Sequence, residues 1–199
     1  MPLPKTFEGV KKAVINPGGD NHYGVMRISD FFLPLTGSAG APESIGQWLN
    51  VPEYSLAAAT NGEVFRDDTG KFTAIRKEIL TGMPEDVKLK KIAAKTIRIA
   101  QSGQYNFPRC LAHGEKGAAA LALAEFAKEA ASLAYLLSGQ FCPFYKWALK
   151  GLGRLNGFSF LEETLNTLLT EETDSSQIKT IEEIAESNGP TKAFTSVVL

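Results

Sequence analysis

The twenty residues from Ala118 to Leu137 constrain the fold more than any other stretch of the chain. Leu123, Phe126, Ala130, Leu133 and Leu137 recur at alternating intervals of three and four, which lines up one face of an α-helix. Such a stripe is stable only when it is covered. A matching stripe lies upstream: Pro84-Glu85-Asp86 opens a helix carrying Leu89, Ile92, Ala93, Thr96, Ile99 and Ala100. The two are expected to pack as an antiparallel central pair in a mainly α, bundle-like fold. Glu125, Lys128 and Glu129 interrupt the apolar run, which argues against a membrane span.

The rest of the chain reads as further helices. Pro42-Glu43-Ser44 starts one through Trp48, and Pro52-Glu53 starts another through Ala59, because proline is tolerated in a first turn and glutamate suits its dipole. Asn61-Gly62 stops the second. Asp68 or Thr69 is a candidate cap for the next helix, which Gly82 closes. Helices are also expected from Pro143 to Lys150, from 158 to 169 and from 178 to 185. Residues 1–26 differ: Val10–Ile15 is a short β-branched segment before the turn-rich Asn16–Asn21. A lone strand cannot satisfy its own backbone, so this appendage calls for a sheet that the chain does not obviously supply. The expected organisation is appendage 1–26, helical domain 27–188 and tail 189–199.

A chain of 199 residues suits one domain of this kind and needs no staple. Its net charge of −1 gives no global field for nucleic acid or anionic lipid. Two cysteines, Cys110 and Cys142, and two histidines, His22 and His113, cannot furnish a zinc site of usual spacing. The start has no apolar signal region, so a cytoplasmic location with reduced thiols is expected.

Motifs for chemistry are sparse. No GxxxxGK[ST], GxGxxG after a strand, or GxSxG is present. Gly37-Ser38-Ala39-Gly40 reads as a linker, and Cys110 with His113 as a packed thiol beside a surface imidazole. Glu63, Asp67 and Asp68 form a candidate acidic cluster for a cation or proton transfer, weighed against simple helix capping. Lys88, Lys91, Lys95 and Arg98 share a helical face, read first as solvated and second as a phosphate-facing wall. Lys90 lies off that face. Gln101–Arg109 is read as ending a helix in a polar cluster with Gln104 and Arg109. Phe141–Trp147 crowds aromatics around Lys146; these are expected to pack the helix pair, with a ligand-contacting role for Tyr145 and Lys146 as the sharper alternative. Glu125 is the conspicuous carboxylate on an apolar face and calls for a basic partner from a neighbouring helix.

NGEVFRDD at 61–68, PEDVKLKKIAA at 84–94, QSGQYNFPRC at 101–110, ALAEFAKEAASLAYLL at 122–137 and CPFYKW at 142–147 together resemble one bacterial family, domain of unknown function 4037. The resemblance runs from about Tyr23 to Leu155. It implies the class of kanamycin nucleotidyltransferase, in which an α/β half holds Mg²⁺ on a Gly-Ser…Asp-x-Asp motif and a helical half follows. That motif does not follow Gly37-Ser38 here. The resemblance therefore implies a helical substrate- or nucleotide-facing module that is not catalytic alone, with no catalytic or metal-ligating residue of its own. Mg²⁺ and a nucleoside triphosphate would enter only with the other half. Lys90, Lys91, Tyr145, Lys146, Gln104 and Arg109 are the candidate nucleotide or substrate contacts. The implied partner is a nucleotidyltransferase-like chain or a second copy, with no membrane or nucleic acid. The rival reading is an interaction or self-associating helical module without nucleotide binding.

Overall fold

The computed structural model describes residues 26–187 and the backbone of two short strands, β1 (Thr6–Phe7) and β2 (Val10–Lys11). The strands pair antiparallel, with Phe7 opposite Val10 and Thr6 opposite Lys11. This corrects the expectation of a strand without a partner in this chain: β2 pairs with the segment immediately before it. The Asn16–Asn21 turn and the tail from Gly189 lie outside the described residues.

The described chain is mainly helical. Helix α1 (Ile28–Thr36) ends at Gly37, whose φ of 78° is the left-handed conformation that glycine adopts without penalty. The following turn is internally bonded. The Thr36 hydroxyl reaches the Gly40 carbonyl at 2.6 Å, and the Ser38 hydroxyl donates to the Ala41 carbonyl at 2.5 Å. Gly37–Gly40 is thus a built linker, as expected. Helix α2 (Ile45–Asn50) opens on a complete capping box formed by Ser44 and Gln47. Helix α3 (Glu53–Thr60) follows Pro52, and α4 (Lys71–Thr81) runs to Gly82. Of the two expected caps, Asp68 pairs instead with Arg66, while the Thr69 hydroxyl accepts the Lys71 N–H at 3.4 Å. The shorter bond comes from a third residue, Asp67, which accepts the Thr73 N–H at 2.7 Å across the Gly70 turn.

Helix α5 (Glu85–Ile99) does not end in the Gln101–Arg109 segment. It continues through a π-helical stretch, Ala100–Asn106, into α6 (Phe107–Ala112). The widened turn brings Gly103 against α7 (Lys116–Leu137) and α10 (Gln177–Ser187) so closely that a Cβ there would overlap the Phe126 ring and Ile181. Between them in sequence lie α8 (Tyr145–Leu152) and α9 (Phe160–Thr170).

Two hydrophobic clusters result. Phe32, Trp48, Leu56 and Ile79 bind α1–α4 together. The larger cluster surrounds α7, whose residues Glu129 to Leu136 are all buried because other elements cover the helix on every side. Side-chain contacts climb α5 as they descend α7: Lys95 meets Ser132 and Arg98 meets Glu129. The apolar stripe expected on α5 divides. Ile92 and Ile99 join the core, whereas Leu89 and Ala93 remain exposed among the described residues.

Candidate functional site: a cation-lined cavity beside α7

Burial of Ile92 and Ile99 orients α5 so that Lys91, Lys95 and Arg98, spaced at i, i+4 and i+7, look across to α3 and α7. Lys95 is the hub. Its ammonium lies 3.2 Å from Glu53 on α3 and 3.7 Å from Glu129 on α7, and donates to the Ser132 hydroxyl at 2.7 Å. Ser132 in turn donates to Glu53 at 2.8 Å. The side chains of Lys95, Glu53 and Glu129 are only 15%, 9% and 4% exposed, so their charges interact in a medium that screens far less than water. Arg98 (3.4 Å) and Lys128 (3.6 Å) approach Glu129 from the more open side. One oxygen of Glu129, Oε2, is buried without a hydrogen-bond partner among the described residues.

Lys91 is half-buried and makes no ion pair or hydrogen bond among the described residues. Burial lowers its pKa; Glu53 works in the opposite direction, and the Lys95 charge lowers it further. Lys95, Arg98 and Lys128 thus share Glu53, Glu129 and Glu125, and Lys91 is the cation in excess.

Lys91, Lys95, Arg98, Lys128, Glu53 and Glu129 line one cavity of about 680 Å³, a size that accommodates a small organic ligand. Tyr54, Phe144 and Tyr145 line it as well. Phe144 packs edge-on to Tyr54 at 5.6 Å between ring centroids and lies 4.5 Å from Tyr145. Cys142 is also part of the lining, but burial and the nearby Glu53 carboxylate push its thiol pKa up to about 12. A thiol so held is a poor nucleophile. In native protein under mildly alkaline conditions, a thiol-specific disulfide reagent should modify Cys142 only as the chain unfolds; equal labelling before and after denaturation would contradict this.

Of the residues expected at a ligand site, Lys91 and Tyr145 come together at this cavity, and Lys90, Lys146, Gln104 and Arg109 do not line it. Gln104 donates to Glu182 at 2.5 Å, and the Arg109 guanidinium sits 4.9 Å from the Tyr105 ring centre, so both are engaged locally. The basic face of α5 is not simply solvated, since Lys95 is enclosed in an ion-pair network. Phe144, Tyr145 and Trp147 do not pack the helix pair together; all three are open to solvent. Glu125 is not the enclosed carboxylate. It pairs with Lys128 of its own helix at 2.5 Å, and the buried acid is Glu129. Spacing contained that signal, since Glu129 stands three residues after Phe126 and four before Leu133, inside the apolar stripe. Glu53 and Ser132 carried no signal beyond a helix start and a small polar residue.

The acidic cluster disperses. Asp68 pairs with Arg66 at 2.8 Å, Asp67 caps α4 and Glu63 stands in solvent. The backbone N–H of Thr73 holds the Asp67 carboxyl below the usual aspartate range. No three His, Cys, Asp or Glu side chains converge among the described residues, so this donor set does not fit a divalent cation. No helix among these residues is long and apolar enough to cross a membrane.

No curated protein and no solved structure matches the chain. The family described as Domain of unknown function (DUF4037) matches residues 48–148, a narrower span than the resemblance from Tyr23 to Leu155. That span holds every charged group of the cavity, from Glu53 to Glu129. With half of its length matched, including the helices that build the cavity, the chain belongs to the DUF4037 family.

Proposed function

We propose that this domain is the ligand-facing helical module of a nucleotidyltransferase-like protein, that it holds a phosphate-bearing ligand in the α3–α5–α7 cavity, and that it does not perform group transfer alone. The observation that carries the reading is Lys91, a half-buried ammonium with no acidic partner within 4.0 Å among the described residues, on the wall of a ligand-sized cavity. A phosphate oxygen supplies the missing partner through a charge-assisted hydrogen bond. Tyr54, Phe144 and Tyr145 offer ring faces for a base. Lys90, Lys146, Gln104 and Arg109 lie outside this cavity and have no part in the proposed contact.

Calorimetry with ATP, GTP, CTP and UTP tests the reading. Saturable binding of at least one is expected, weakened about tenfold or more by Lys91→Ala, the order of effect of losing one hydrogen bond to a charged group. Absence of heat with all four, or unchanged affinity in Lys91→Ala, would overturn it.

A second reading, a self-associating interaction module, draws on Leu89, Ala93 and Ile97. These three share the outer face of α5 at intervals of four and are exposed, Ile97 to 66%. Light scattering separates the two: a stable dimer without nucleotide affinity favours the second.

A further inference from the structure

A second cavity of about 740 Å³ lies on the other side of the Tyr54–Phe144 wall. One helical face builds much of it. Trp147, Lys150, Gly151 and Arg154 stand at i, i+3, i+4 and i+7, a spacing that continues through the turn after α8, and all four line the space. Gly151 is required here because a Cβ would strike the Tyr135 hydroxyl, which donates to the Ala148 carbonyl at 3.0 Å and holds the Tyr135 ring against α8. Tyr54, Phe144 and Trp147 therefore supply ring surface, and Lys150 and Arg154 supply positive charge.

No carboxylate among the described residues lines the cavity. Neither Lys150 nor Arg154 has an acidic partner within 4.0 Å among the described residues, whereas Lys95 and Lys128 of the first cavity both do. The negative end of α8 accounts for a cation at Lys150. It does not account for two cations facing a ring-walled hollow that contains no acid. Stacking plus unsatisfied positive charge selects a planar ring joined to an anionic group.

We infer that the cavity formed by Tyr54, Phe144, Trp147, Lys150 and Arg154 is a second ligand site, taking an aromatic ring that carries a phosphate. Ring stacking on Trp147 and charge pairing with Lys150 and Arg154 are both needed. The site is separate from the one that Lys91 lines, and its occupancy does not depend on the first being filled.

Calorimetry with phenyl phosphate, using inorganic phosphate as the ring-less control, tests this on the full chain. Phenyl phosphate should bind saturably and at least about tenfold tighter than inorganic phosphate, and both Trp147→Ala and the double substitution Lys150→Ala/Arg154→Ala should weaken it about tenfold or more. All three side chains are exposed, so their removal leaves the fold intact, which an unchanged melting temperature verifies. Equal affinity for the two probes, no saturable binding, or wild-type affinity in the double variant would overturn the inference. So would a loss on Lys91→Ala with none in the double variant, which would put the probe in the first cavity.

Discussion

Lys95→Met is expected to lower the stability of this domain by about 3–5 kcal/mol, because it leaves the enclosed carboxylates of Glu53 and Glu129 facing each other without their shared cation. Lys95 sits between helices α3, α5 and α7, and the hydroxyl of Ser132 completes the set. Methionine has nearly the same reach, so lost packing contributes little and lost charge contributes most. For a domain of this size each kcal/mol shifts the melting temperature by roughly 2–4 °C, which gives a drop of about 10 °C in a thermal melt. Arg98→Ala provides the contrast. Arg98 approaches the same Glu129 but is 60% exposed, so its removal should cost less than about 1 kcal/mol. Equal melting temperatures for Lys95→Met and wild type would show that the network contributes no net stability.

The sign of a further variant follows from the same physics. Desolvating three charges is itself costly, so replacing the whole set, Glu53→Leu/Lys95→Met/Glu129→Leu, should recover most or all of the loss. A chain that is equally stable without the network implies that its charges serve the cavity rather than the fold. Nucleotide calorimetry on that triple variant then reads the cavity alone: two negative charges and one positive charge are removed, so an affinity that rests on Lys91 should be retained or strengthened.

Gly103→Ala should cost about 1–3 kcal/mol, and Phe126→Ala about 3–5 kcal/mol, each measured by denaturant unfolding. Phe126 is fully buried where the π-helical stretch, α7 and α10 meet. The alanine methyl at 103 would occupy the space of that ring and of the Ile181 side chain, 2.9 Å from the added carbon. Because both effects arise at one contact, they should not add. Gly103→Ala in a Phe126→Leu background should cost less than in wild type, since leucine withdraws the ring edge that the methyl strikes. Strict additivity would mean that Gly103 matters for the backbone of the widened turn and not for this close approach.

How much of this was legible in the sequence depended on the range of the interaction concerned. The periods of three and four on α7, the helix start signalled by Pro42-Glu43-Ser44, and the stop at Gly82 are local, and the helices they specify are present. Local rules failed where two solutions were close in energy. Asp67, Asp68 and Thr69 all suit a cap, and only the turn at Gly70 brings Asp67 to the Thr73 N–H at 2.7 Å, leaving Thr69 a longer bond to Lys71. The segment after α5 carries residues that suit a helix end, yet burial of Phe107 and the fit of Gly103 against Phe126 keep it helical.

The sequence by itself determined a mainly helical chain, the α7 stripe and a basic face on α5, because these follow from spacing within a single helix. Only the tertiary structure decided what the basic face does. Glu53, Lys95 and Glu129 are separated by tens of residues, and only Glu129, inside the α7 stripe, stands out at its own position. Packing of Ile92 and Ile99 against α7 turns Lys95 inward onto two acids and leaves Lys91 without one. Charge compensation is a property of distance in space, and that distance is set by the core.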